Sequence, residues 1–172
     1  MSDIRQHHAL SWYVCFFHLR KATSTAPIYY ETLQAHHLPQ VHDLLSRTFW
    51  SGINVTDSLD HFPERCTVVA VYKRLIVGVA IMSSPQEAYI TYLAVRAGWE
   101  NAKIATRMLH HLIELNPHTD VTLHVSVNNP AMLLYNRFGF KAEEFIAGFY
   151  EHFLDPLSRL SRNAFKLRLR QQ

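Results

Sequence analysis

The sequence predicts a mixed α/β domain, and three observations carry that prediction. Two apolar, β-branched runs, Thr67–Tyr72 and Leu75–Met82, are separated only by Lys73 and Arg74, as in an antiparallel hairpin. A strand–helix–strand succession over residues 88–125 requires a parallel pair joined by a right-handed crossover. Apolar residues at helical spacing before the hairpin and inside the crossover supply helices to cover the faces of the sheet.

Each element has its own warrant. Residues 28–33 are rich in aromatic and β-branched side chains and read as a first strand. Leu38, Val41, Leu44, Leu45 and Phe49 recur at helical spacing, and Ser51 and Gly52 end that helix. The hairpin follows, although Lys73 and Arg74 are not favoured turn residues. A strand over 88–95 leads to a helix over 103–115, whose stripe is Ile104, Met108, Leu112 and Leu115 and whose stop is Asn116 and Pro117. After a strand over 121–125, a short helix spans 130–138. Asn129 can cap it, Pro130 suits its first turn and Gly139 suits the left-handed position beyond its end. Strands over 145–150 and Ala164–Leu169 complete the domain, which is expected to occupy residues 28–170 behind an extension of residues 1–27.

Composition narrows the function classes. The chain has 172 residues, of which 48% are hydrophobic and 18% charged, which suits one folded core rather than disorder or a fibre. A net charge of +3 lacks the footprint of a direct nucleic-acid binder, yet it suits an anionic cofactor. No apolar run is long enough for a membrane-spanning helix, so no membrane partner is expected. The two cysteines, Cys15 and Cys66, are too far apart in sequence for a metal-ligand spacing, and they suit a reducing compartment. Adjacent histidines at 7–8, 36–37 and 110–111 cannot chelate one ion from a helix as an i,i+4 pair can. They are read as solvated surface, and no metal is expected.

The most informative segment runs from Asn128 to Phe140, NNPAMLLYNRFGF. An amphipathic helix with a glycine stop accounts for Leu134, Phe138 and Gly139 but does not require Asn128 or Tyr135. Asn128, Ala131, Leu134, Tyr135, Gly139 and Phe140 occupy the fixed positions of the N-x-x-A-x-x-L-Y-x-x-x-G-F signature of the GNAT superfamily of N-acetyltransferases. The segment lies directly after a strand and a β–α–β unit, so the chain is identified as resembling that superfamily. The resemblance implies a GNAT fold: a mixed, mostly antiparallel sheet with a splayed parallel central strand pair and flanking helices. It also implies acetyl-CoA as co-substrate. Within the superfamily, the run from Asp120 to Tyr135, with residues 49–53, 71–73, 87–90 and 164–170, resembles the domain of a chromatin-complex acetyltransferase subunit. That likeness implies a protein substrate such as a histone tail, chromatin-complex subunits as partners, and a nuclear or nucleocytoplasmic location.

Acetyl transfer from a thioester needs a neutral amine, a place for the oxyanion and a proton for the departing thiolate. The resemblance assigns the acetyl and pantetheine contacts to the backbone of Leu93, Ala94 and Val95. It assigns the general acid to Tyr135, and further cofactor contacts to Asn128 and Ala131. Many superfamily members carry a glutamate base where this chain has Tyr89. N-terminal acetyltransferases acting on methionine-starting peptides instead pair a tyrosine there with a histidine on the next strand, matched here by His124. A core histidine and a strand aromatic are the plainer readings of those two residues. Trp50, Phe149 and Tyr150 fall where relatives contact the acceptor; they equally suit core and rim aromatics.

The pattern departs at the pyrophosphate loop, Q/R-x-x-G-x-G/A in the superfamily and ENAKIA over residues 100–105 here. The cofactor contacts expected of Asn101, Ala102, Lys103, Ile104, Ala105 and Thr106 rest on amides at a helix N-terminus pointing at phosphate. Glu100 adds a negative charge there. Lys103 replaces a glycine, and a positive φ at that position would strain it by about 1–2 kcal/mol. Two functions stay open on this ground: an active protein acetyltransferase with a lysine or an N-terminal acceptor, and a GNAT-fold module that binds partners without efficient catalysis.

Overall fold

The computed structural model describes residues 26–171, so most of the expected N-terminal extension, with Cys15, lies outside the described residues. Seven strands form one sheet: β1 (Ile28–Glu31), β2 (Thr67–Tyr72), β3 (Leu75–Met82), β4 (Tyr89–Val95), β5 (Val121–Ser126), β6 (Lys141–Ile146) and β7 (Ala164–Leu169). Their order across the sheet is β1-β2-β3-β4-β5-β7-β6. Only β4 and β5 run parallel; every other neighbouring pair is antiparallel. The expected GNAT architecture is therefore present.

Helices cover both faces. α1 (Leu38–Thr48) buries Val41, Leu44 and Leu45 on the face formed by Val69, Val79 and Ile81. A single turn, α2 (Pro63–Cys66), leads into β2. On the opposite face α3 (Ile104–Leu115) buries Ile104, Met108, Leu109 and Leu112 against Val68, Ala80 and Leu123. α4 (Met132–Phe138) joins that core through Tyr135, with Phe140 fully buried just beyond it.

The Lys73–Arg74 hairpin closes as expected, with Tyr72 paired to Leu75. Lys73 takes φ 57°, which is why these side chains gave a weak turn signal. The strand expected over residues 145–150 is corrected to Lys141–Ile146. Gly148 at φ 68° turns the chain after Ile146, and Phe149 and Tyr150 belong to the loop that follows. Ala88 lies outside β4 at φ 45°, and the short helix starts at Met132 rather than Pro130. The N-cap is therefore Ala131 and not the expected Asn129, whose Oδ1 instead accepts the Ala131 N–H at 2.9 Å within the preceding turn. One histidine is also corrected. His37 is buried, its Nε2 3.1 Å from Glu31 and its Nδ1 accepting the Gln34 N–H at 3.1 Å.

Candidate active site

The site is built on a divergence of strands. β4 and β5 share only two register pairs, Tyr89 with Thr122 and Ile90 with Leu123. Beyond Ile90 they part, while β4 stays paired to β3 as far as Val95 and β5 stays paired to β7. The register between β3 and β4 shifts at Ile81/Met82, so the parting coincides with a bulge. The Arg96 N–H donates to the Val77 carbonyl at 2.8 Å, which fixes that peptide toward β3. Strand alternation then turns the peptide groups of Leu93 and Val95 toward the gap, whereas Ala94 faces its β3 partner Val79. A free row of backbone donors and acceptors thus lines one wall of a wedge, and it suits the amide-bearing arm and carbonyl of an acyl thioester.

A cavity of about 280 Å³ occupies this wedge. Tyr89, Leu93, His124, Ala131 and Tyr135 line it, and so do the acceptor candidates Trp50, Phe149 and Tyr150. The structure thus brings every expected catalytic and acceptor residue into one space. The Tyr89 hydroxyl lies 2.9 Å from His124 Nδ1. Burial pushes the Tyr89 phenol up from its ordinary value, so it keeps its proton and donates to Nδ1. Burial, reinforced by the Lys166 ammonium and opposed by Glu144, holds His124 below the ordinary histidine value, so the ring is neutral and free to accept. Phe149 stacks on His124 at 4.2 Å between centroids and 13° between planes. Tyr150 donates its hydroxyl to the His124 carbonyl at 3.1 Å. Tyr135 is almost wholly buried, and desolvation pushes its phenol far up.

Other expected contacts lie outside this space. Asn128 holds the loop between β6 and β7: its Oδ1 accepts the Ser161 N–H at 2.7 Å and its Nδ2 donates to the Arg159 carbonyl at 2.8 Å. Residues 101–106 sit at the head of α3, away from the cavity lining. Lys103 adopts φ 56°, the left-handed conformation a glycine would take freely. Glu100 folds its carboxylate onto the loop: a bond from its own amide, and then one from the Gly98 N–H to Oε2 at 2.9 Å, hold the carboxyl below its ordinary value. The wedge thus offers groups that fit an acyl thioester, while at the loop ahead of α3 the amides of Gly98 and Glu100 already serve a carboxylate.

Sequence reasoning missed Phe49, Tyr92, Phe153 and Leu160 in the cavity wall. Tyr92 was within reach, as another aromatic on the strand of Tyr89. Phe153 comes from an irregular loop and meets Trp50 at 4.9 Å, closing the cavity between α1 and the β6–β7 loop.

Comparison with known proteins agrees with this geometry. The family model described as the acetyltransferase (GNAT) family matches residues 27–140. Cysteine-rich protein 2-binding protein from Mus musculus is 42% identical over 149 residues, covering 85% of this chain and 19% of the relative. The Homo sapiens counterpart is 41% identical over the same span, so the chain matches about a fifth of these relatives' length. Among solved structures, Arabidopsis thaliana Naa50 in complex with the bisubstrate analogue CoA-Ac-MVNAL superposes with a TM-score of 0.68 at 22% identity, covering 83% of this chain and 97% of that one. Ard1 from Thermoplasma volcanium gives 0.70 at 17% identity, covering 84% and 98%. Fold and family model together define a GNAT-fold domain. The chain belongs to the acetyltransferase (GNAT) family.

Proposed function

We propose that this chain acetylates an amine of a protein, with a lysine side chain as the principal acceptor. The observation that carries the reading is convergence in one wedge of free β4 peptide groups, Tyr135 and the Tyr89–His124 pair. Acetyl-CoA, when bound, supplies an activated carbonyl and a thiolate leaving group. The Leu93 and Val95 peptide groups orient that carbonyl and stabilise charge on its oxygen. Tyr89 takes a proton from the incoming amine side as its own hydroxyl proton passes to His124 Nδ1. Tyr135, held protonated by burial, donates toward the sulfur. Trp50, Phe149 and Tyr150 form the acceptor wall. We assign this unit to residues 28–170.

The lysine reading, with a histone tail as substrate, chromatin-complex partners and a nuclear location, is supported by the 41–42% identity to cysteine-rich protein 2-binding protein. A second reading, an N-terminal α-amine acceptor, is favoured by the short Tyr89–His124 bond. One experiment separates them. Purified protein with acetyl-CoA is offered histone-tail peptides with blocked N-termini and lysine-free peptides with free N-termini. Mass spectrometry then locates the acetyl group. Acetylation of the first set supports lysine and of the second supports the α-amine; no acetylation of either sinks both.

A further inference from the structure

A second cavity, of about 330 Å³, opens beside the first, and Thr91 and Tyr92 line both. Its outer wall is the segment after α1, carrying Asp57, Ser58 and His61, and its floor is the end of β3 with Ser83. No lysine or arginine lines it. Among the described residues the Asp57 carboxylate has no ion-pair partner. Its charge is nonetheless felt inside, because Asp57 adds to burial in pushing the Tyr92 phenol up. Two of the neighbouring groups, His61 and Ser83, can accept from a donor placed in this space. His61 Nδ1 donates to the Asp57 carbonyl at 2.8 Å, and in that tautomer Nε2 carries the lone pair. Ser83 donates its hydroxyl to Glu87 at 3.0 Å, which leaves the Ser83 oxygen lone pairs open.

We propose that this cavity is a subsite for a lysine or arginine side chain of the acceptor peptide, within about two residues of the amine being acetylated. The inference rests on the reading that the acceptor is a protein amine. Because Thr91 and Tyr92 line both cavities, a peptide whose amine lies in the wedge can leave along the Tyr92 wall. An extended chain advances about 3.3–3.6 Å per residue, so a flanking long cationic side chain reaches across that wall. An unpaired carboxylate among acceptor atoms selects a donor-only cation over a neutral amide or an acid.

The test uses short peptides identical except for Lys, Gln or Glu at one position flanking the acceptor amine. Both kcat/KM and the dissociation constant by calorimetry are measured. The Lys peptide is expected to exceed the Gln peptide by about two- to fivefold in each, as for a solvent-exposed ion pair. Asp57 is exposed on a surface turn, so its variants keep the fold. Asp57→Asn brings the ratio close to one, and Asp57→Lys inverts it in favour of the Glu peptide. A ratio near one in the unaltered protein, or one that survives Asp57→Asn, overturns the subsite. Selective binding without turnover leaves the subsite standing and sinks acetyl transfer. Turnover without selectivity sinks the subsite alone.

Discussion

His124 stands opposite Lys166 on β7, which in turn stands opposite Glu144 on β6, so the three share one face of the sheet. Burial and Lys166 lower the imidazole below its ordinary value near 6.5, and Glu144 pulls it back. A base must be neutral to accept, so the acid limb of kcat/KM is expected below pH 6.5. The two neighbours then make opposite predictions. Lys166→Met removes a depressing charge and moves the limb up in pH; Glu144→Gln moves it down. Shifts of the same sign, or none, would mean that another group titrates. Stability follows the same sign. Between the lowered folded value and 6.5 the unfolded chain binds more protons than the folded one. The contribution of His124 is therefore constant above that window and falls as pH drops through it. Tyr89 and His124 were legible in the sequence only through a family likeness, because their contact joins residues 35 positions apart. The Asn128 side chain was not legible, since its partners Arg159 and Ser161 sit in a loop without periodicity.

The loop ahead of α3 brings together two local choices that would oppose a diphosphate bound there. Glu100 already occupies the Gly98 amide, so an incoming diphosphate competes with a covalently tethered carboxylate. Glu100→Gln is expected to tighten CoA binding by about two- to fivefold, the range typical of one charge at a helix N-terminus. Calorimetry with CoA checks this, and unchanged or weaker binding would refute the competition. Lys103→Gly relieves the left-handed backbone at φ 56°. After the added flexibility of the unfolded chain is subtracted, a gain of about 1 kcal/mol remains, or about 2–4 °C in Tm. A lower Tm would show that the Lys103 side chain makes a compensating contact. Elements with continuous β-branched apolar runs or helical spacing, such as β2, β3 and α3, were readable from sequence. β6 was not: its residues are exposed or half-buried at a sheet edge and follow no two-residue period. The neighbouring aromatics Phe149 and Tyr150 imitated a strand while serving the cavity.

Across the whole molecule, the sheet is two sections hinged at two residue pairs, Tyr89–Thr122 and Ile90–Leu123. So short a seam cannot set the opening of the wedge by itself. α3 packs across β2, β3 and β4, and its buried residues share one core with Val121 and Leu123 of β5, which ties the sections together. Gly78 on β3 permits that packing: a Cβ there would lie 2.8 Å from Ile104 Cγ2 and 2.9 Å from Met108 Cε. Met108 can swing its terminal methyl aside, but Ile104 is β-branched and stiff, and it follows directly on the Lys103 turn. Gly78→Ala is therefore expected to lift the N-terminal end of α3 rather than its middle. The overpacking costs about 1–3 kcal/mol in chemical denaturation. The same displacement moves the loop at residues 98–103, so CoA binding weakens while the wedge lining at Tyr89 and His124 stays in place. The expected kinetic signature is a raised KM for acetyl-CoA with kcat little changed. A fall in kcat at unchanged KM would show instead that the α3 seat governs the catalytic wedge and not the phosphate end.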